Sequence, residues 1–197
     1  MNRAVFMDRD GVINVDCGYV HRVKDFRFIP GVFGALKRLS ASRFKSIIVT
    51  DQSGIGRGYY SKAAMEIVHR HMLAELSRRH IRIDMIYYCP HAPEHQCLCR
   101  KPGIELVLRA QRDFGLDLRR SYFIGDKRRD IQTGKNAECK TILVMTGKAG
   151  ADSGFDVEPD YKAKSLKQAV DSIFKHERQD KNKGRDGSDR ERAKKKK

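Results

Sequence analysis

The 197-residue chain has no tryptophan and an aromatic content of only 8%. Base-stacking platforms are therefore not promoted by its composition, and a nucleic-acid partner is not expected. It lacks any run near the roughly 20 apolar residues that a membrane span needs, so membrane anchoring is not expected either. The opening residues, MNRAVFMDRDG, pass straight into an apolar stretch bearing acids. A signal peptide would show a longer uncharged stretch, so the expected address is the cytosol. A paired set of cysteines is also missing. There are five, and Cys97 and Cys99 lie one residue apart. In a reducing compartment that spacing points to a metal or to free thiols, not to a disulfide framework.

What is present suffices for one core, since 40% of the residues are hydrophobic. The net charge of +16 is unevenly spread: from His176 onward, ten Lys/Arg against five Asp/Glu supply +5. That end has no apolar periodicity and reads as a basic, disordered tail over 177–197. The other +11 belongs to the globular part, 1–176, and suits an anionic substrate.

Val5 to Met7 reads as a buried strand and Pro30-Gly31 as the opening of a helix through Val32, Leu36 and Leu39. Further strands are expected over Ser46–Thr50, Ile83–Tyr88, Ser121–Ile124 and Thr141–Met145. Helices are expected from Ser61, over Glu105–Phe114, after Asp130 and over Leu166–Phe174. On the helix from Ser61, the expected apolar face carries Ala64, Ile67, His71 and Leu73 to Leu76. Strands alternating with helices imply an α/β domain with a parallel sheet covered on both faces.

In such a sheet the working residues sit at the carboxyl ends of the strands. Asp8 and Asp10 follow the first strand, Thr50 ends the second, and Asp126 follows the fourth. Two carboxylates crowded at one strand end repel each other unless a cation joins them or one is protonated. A hard divalent ion such as Mg²⁺ fits, with Asp126 as a further ligand. Thr50 offers a hydroxyl donor and Lys101 a cation for phosphate oxygens. Acids, a metal and a cation together suit phosphoryl transfer.

The segment Cys89 to Cys99 reads C-x-H-x₅-C-x-C. Cys89, His91, Cys97 and Cys99 suit a closed tetrahedral Zn²⁺ site, structural because no position is left for water. His95 is a less suitable ligand because its spacing to Cys97 is cramped. Such a zinc would hold Arg100 and Lys101, which follow directly, over the active site. His69 and His71 point different ways on one helix and do not suit a metal.

The run Phe6-Met7-Asp8-Arg9-Asp10-Gly11-Val12-Ile13-Asn14, followed by Thr50, Lys101 and Gly125-Asp126-x₃-Asp130, resembles the haloacid dehalogenase (HAD) superfamily of phosphatases. The resemblance implies a three-layer Rossmannoid fold. It makes Asp8 the nucleophile, Asp10 the general acid and base, and Thr50 and Lys101 the grip on the phosphoryl group. Mg²⁺ would be held by Asp8, the backbone carbonyl of Asp10 and Asp126. The short spacings leave no room for a large cap domain, so the cleft should be open.

Asp16-Cys17-Gly18-Tyr19-Val20, Gln52-Ser53-Gly54-Ile55-Gly56-Arg57-Gly58 and Thr146-Gly147-Lys148 resemble the D-glycero-D-manno-heptose 1,7-bisphosphate phosphatase family, with histidinol-phosphate phosphatases as neighbours. The resemblance implies a monomer that acts on a sugar bisphosphate on the route to nucleotide-activated heptose. The contacts it implies are Asp16, Cys17, Gly18, Tyr19, Asp51, Gln52, Ser53, Arg100 and Lys127. Three positions depart from the family: Asp51 stands where Asn is usual, Glu138 where Gly is usual, and Gly103-Ile104-Glu105 where a Pro-Gly pair is common. Asp51 would repel a phosphate unless turned toward the metal or Arg57. A reading from another class is a basic, zinc-containing nucleic-acid binder with a lapsed catalytic site.

Overall fold

The computed structural model describes residues 1–179. Its strands are β1 (Arg3–Met7), β2 (Phe44–Asp51), β3 (Met85–Cys89), β4 (Tyr122–Gly125), β5 (Lys140–Val144) and β6 (Tyr161–Ala163). They alternate with α1 (Val32–Ser40), α2 (Lys62–Ser77), α3 (Glu105–Phe114) and α4 (Arg128–Asn136). Residues 166–179 form a last helix, α5. The sheet order is β3-β2-β1-β4-β5-β6, and every neighbouring pair is parallel.

Alternation along β1 explains the layering. Val5 and Met7 face a core shared with Leu36 of α1, Met72 of α2 and Val170 of α5. Ala4 and Phe6 face the opposite core, with Val107 and Ala110 of α3. Burial on both faces is why the centres of β1 and β2, Ala4–Met7 and Ile47–Val49, read as continuous apolar runs. The caps are local: the Ser61 hydroxyl accepts the Ala64 N–H at 3.2 Å, and Gly115 ends α3 at φ 60°.

Several expectations change. The buried stripe of α2 is Met65, Val68, His69, Met72 and Leu76, while Ile67 and Leu73 are 49% and 37% exposed. Two apolar stripes compete on this helix, and the one carrying both methionines packs on the sheet. The third strand starts at Met85, in register with Ile47, because Asp84 turns its carboxylate to the Ser46 N–H. α4 begins at Arg128, before Asp130. The three-residue edge strand β6 was not expected, being too short and too exposed to show a pattern. α5 runs past 176, where Glu177 pairs with Arg3. The rest of the expected tail, 180–197, lies outside the described residues.

Candidate active site

The strand order turns back at β1, with β2 on one side and β4 on the other, so a crevice opens beyond their carboxyl ends. Asp8, Asp126 and Asp130 meet there, all buried, with one carboxylate oxygen of each within 4.8 Å of the others. Glycines permit the approach. A Cβ on Gly11, which sits at φ +87°, would stand 2.4 Å from Asp126 Oδ2, and one on Gly147 2.1 Å from it. Asp126 Oδ2 accepts the Lys148 N–H at 2.7 Å. Its Oδ1 is buried with no hydrogen-bond partner. Burial, then Asp130 and Asp8, push the Asp126 carboxyl up to about 7. Three buried hard-oxygen donors, with Lys127 Nζ no nearer than 3.8 Å to Asp126 Oδ1, fit a divalent cation such as Mg²⁺.

Lys101 crosses beside this cluster, its Nζ 3.1 Å from Asp8 Oδ2 and 2.6 Å from Asp130 Oδ1. It also donates to the Val49 carbonyl at 3.3 Å. Burial opposes its charge, but Asp130 and Asp8 outweigh that and hold its pKa above the ordinary lysine value. Burial likewise opposes the Asp8 carboxylate, yet Lys101 and Lys127 keep its pKa below the usual range. Asp8 is therefore ionised, and its Oδ1 is fixed by the Arg9 N–H at 2.7 Å.

The Asp10 carboxylate stands outside this cluster, on the wall of the open cleft. Its two oxygens accept from the Arg9 guanidinium at 2.9–3.2 Å, from Asn14 at 2.9 Å and from Gln52 at 3.2 Å. Gln52 also donates to Thr50 Oγ1 at 2.9 Å while accepting from the Tyr60 hydroxyl at 2.8 Å. With Thr50 Oγ1 already accepting, its own hydrogen is available to donate to a ligand.

Above the floor lies a cleft with a cavity volume of about 460 Å³. Asp16 to Tyr19, Asp51 to Ser53, Arg100 and Lys127 all line it. Lys127 Nζ reaches Asp16 at 3.2 Å. Asp51 Oδ2 lies 3.8 Å from Arg100, and its Oδ1 accepts the Lys101 N–H at 3.3 Å.

In the cysteine loop, Cys89, His91, Cys97 and Cys99 converge. The sulfurs stand 3.3–3.5 Å apart, and His91 Nδ1 lies 3.2 Å from Cys99. A tetrahedral zinc with Zn–S of about 2.3 Å implies edges of about 3.5–3.8 Å, so the donors and their spacing fit Zn²⁺. His95 stands apart, its ring centroid 6.2 Å from that of His91.

Comparison with known proteins agrees with this geometry. The HAD-hydrolase-like family model matches residues 98–169. A Helicobacter pylori strain J99 protein named D-glycero-beta-D-manno-heptose-1,7-bisphosphate 7-phosphatase is 43% identical over 149 residues, 74% of this chain and 84% of that one. A Campylobacter jejuni protein named as the alpha-anomer 7-phosphatase is 42% identical over 143 residues, 73% of this chain and 82% of that one. Among solved structures, the D,D-heptose 1,7-bisphosphate phosphatase of B. bronchiseptica, complexed with magnesium and phosphate, superposes with a TM-score of 0.83. It is 29% identical and covers 88% of this chain and 99% of its own.

The chain belongs to the heptose bisphosphate phosphatase family of HAD-like hydrolases. As in the open cleft expected of a capless member, no separate cap domain stands over the site among the described residues. Asp51 turns to Arg100, not to Arg57, which pairs with Glu94 at 3.3 Å. Glu138 adopts φ 57°, the left-handed conformation that favours glycine. Gly103-Ile104-Glu105 still starts α3, at Glu105. The Asp10 carboxylate stands outside the acidic cluster, and Asp130 stands inside it. The lapsed-site premise does not fit this assembled centre, and Lys194 to Lys197 lie outside the described residues. Two residues escaped the sequence reading. Arg9 is completely buried and clamps Asp10. Arg129 lines the cleft with a buried, unpartnered Nε.

Proposed function

We propose that this chain hydrolyses the 7-phosphate ester of D-glycero-D-manno-heptose 1,7-bisphosphate through an aspartyl-phosphate on Asp8. The observation that carries the reading is the ionised Asp8 carboxylate beside the Lys101 ammonium at 3.1 Å, beneath a cleft whose walls carry Arg100 and Lys127.

Asp8 attacks phosphorus, the bond from phosphorus to the sugar oxygen breaks, and that oxygen leaves with a proton from Asp10. Water then attacks the acyl phosphate and gives its proton to Asp10, which releases inorganic phosphate and restores Asp8. Thr50 and Lys101 donate to the non-bridging oxygens throughout. Arg100, a planar fork, and Lys127 bind the phosphate that stays. Asp8, Asp126 and the backbone carbonyl of Asp10 would hold Mg²⁺, which would supply charge neutralisation at the phosphoryl group. Cys89, His91, Cys97 and Cys99 would hold Zn²⁺, which would staple the loop that delivers Arg100 and Lys101. A monomer acting in the cytoplasm completes the proposal.

A phosphate-release screen tests it, run over both heptose bisphosphate anomers, histidinol phosphate and common sugar phosphates with Mg²⁺ and with chelator. Mg²⁺-dependent preference for a heptose bisphosphate is expected. Faster turnover of histidinol phosphate would overturn the substrate assignment.

A further inference from the structure

Arg9 lies between the two motif aspartates, where a charged side chain would ordinarily reach solvent, yet it is 0% exposed. Its donors are almost fully assigned. Nε and NH2 hold both oxygens of Asp10 in a side-on fork at 2.9–3.2 Å. NH2 also reaches the Val20 carbonyl at 2.9 Å, at the end of the loop lining the cleft. NH1 meets His69 Nε2 at 3.1 Å. A guanidinium only donates, so His69 Nε2 must accept and the ring is neutral, with its proton on Nδ1. Burial and the adjacent Arg9 keep it so, lowering the His69 pKa to about 3. His69 comes from the buried stripe of α2, with the Tyr88 ring 6.4 Å away. It therefore ties the acid-bearing loop to a rigid helix.

We propose that His69 is a positioning residue: acting through Arg9, it fixes the plane of the Asp10 carboxyl that exchanges a proton with the leaving oxygen. The inference rests on the role given to Asp10 above. Without an acceptor at position 69 the guanidinium keeps a buried, unsatisfied N–H and swings to find a partner. The fork on Asp10 then loosens, and proton transfer depends on that alignment.

The leaving group tests this. A sugar alkoxide needs the proton from Asp10, whereas p-nitrophenolate departs without one. His69→Leu should lower kcat/KM for heptose bisphosphate about tenfold, leaving kcat/KM for p-nitrophenyl phosphate within about twofold. That parameter reports steps only through departure of the leaving group. His69→Gln, whose amide oxygen can accept from Arg9, should recover most of the loss. Equal losses on both esters would show a merely structural role and overturn the proposal, as would an unchanged rate on the sugar ester. If the wild-type protein turns over fructose 1,6-bisphosphate but not heptose bisphosphate, only the substrate assignment falls, and fructose 1,6-bisphosphate then carries the same comparison. No turnover of any sugar phosphate would overturn both.

Discussion

Asp51 Oδ2 lies 3.8 Å from the Arg100 guanidinium, inside the cleft. A carboxylate thus stands beside the arginine that the remaining phosphate of the substrate should engage, attracting it without a hydrogen bond. Asp51→Asn keeps the shape and removes the competing charge. Steady-state kinetics should show KM for the bisphosphate falling about 3- to 10-fold, worth about 0.7–1.4 kcal/mol, with little change in kcat. An unchanged specificity constant would show that Asp51 has no bearing on binding.

The acidic cluster predicts how metal and pH act on stability. Asp126 titrates near 7 in the folded protein, above its ordinary value of about 3.8–3.9. In chelator, the folded state holds this proton between about pH 4 and 7 while the unfolded state has lost it. The stability contributed by Asp126 is therefore present at pH 4 and lost as pH rises through 7. A divalent cation binds the ionised form and reverses the trend. Melting temperature against pH, with and without Mg²⁺, should diverge as pH increases. Asp126→Asn should flatten the chelator curve and abolish the gain from Mg²⁺. Parallel curves would mean that no cation binds there.

The cysteine loop separates structure from chemistry. Cys97→Ser should lower zinc content and cost more than about 3 kcal/mol of stability, because losing a metal is one of the few changes that large. Asp8→Asn should abolish turnover while metal analysis finds zinc intact. A Cys97→Ser protein as stable as the parent would remove the staple from the account.

At Glu138 the left-handed backbone, φ 57°, strains a side chain that pairs with exposed Arg119. Glu138→Gly should stabilise by about 0.5–1 kcal/mol, measured by denaturant midpoint, with kinetics unchanged. A lower midpoint would show that the ion pair outweighs the strain.

These sites differ in how visible they were in the sequence. Asp8, Thr50 and Asp126 were legible because a parallel sheet collects the polar residues at the ends of its apolar strands, and Lys101 because it directly follows the cysteine loop. The Cys/His cluster was legible because all four members sit within one short segment. Arg9 was not, since an arginine between two acids reads as a solvated charge, and only the folded contact with His69 of α2 shows it buried. The partner of Asp51 was missed for a similar reason. Arg57 is near in sequence, whereas Arg100 arrives through the folded cysteine loop. The α2 stripe failed because two apolar faces of similar strength compete, and the sheet, not the periodicity, chooses between them.

The central claim is that the Asp8 carboxylate becomes phosphorylated during turnover. Rapid quench of the enzyme with labelled bisphosphate, followed by peptide mass spectrometry, reads this directly. One phosphate is expected on the peptide carrying Asp8, absent in Asp8→Asn. A phosphate on any other residue, or steady turnover by Asp8→Asn, would contradict it.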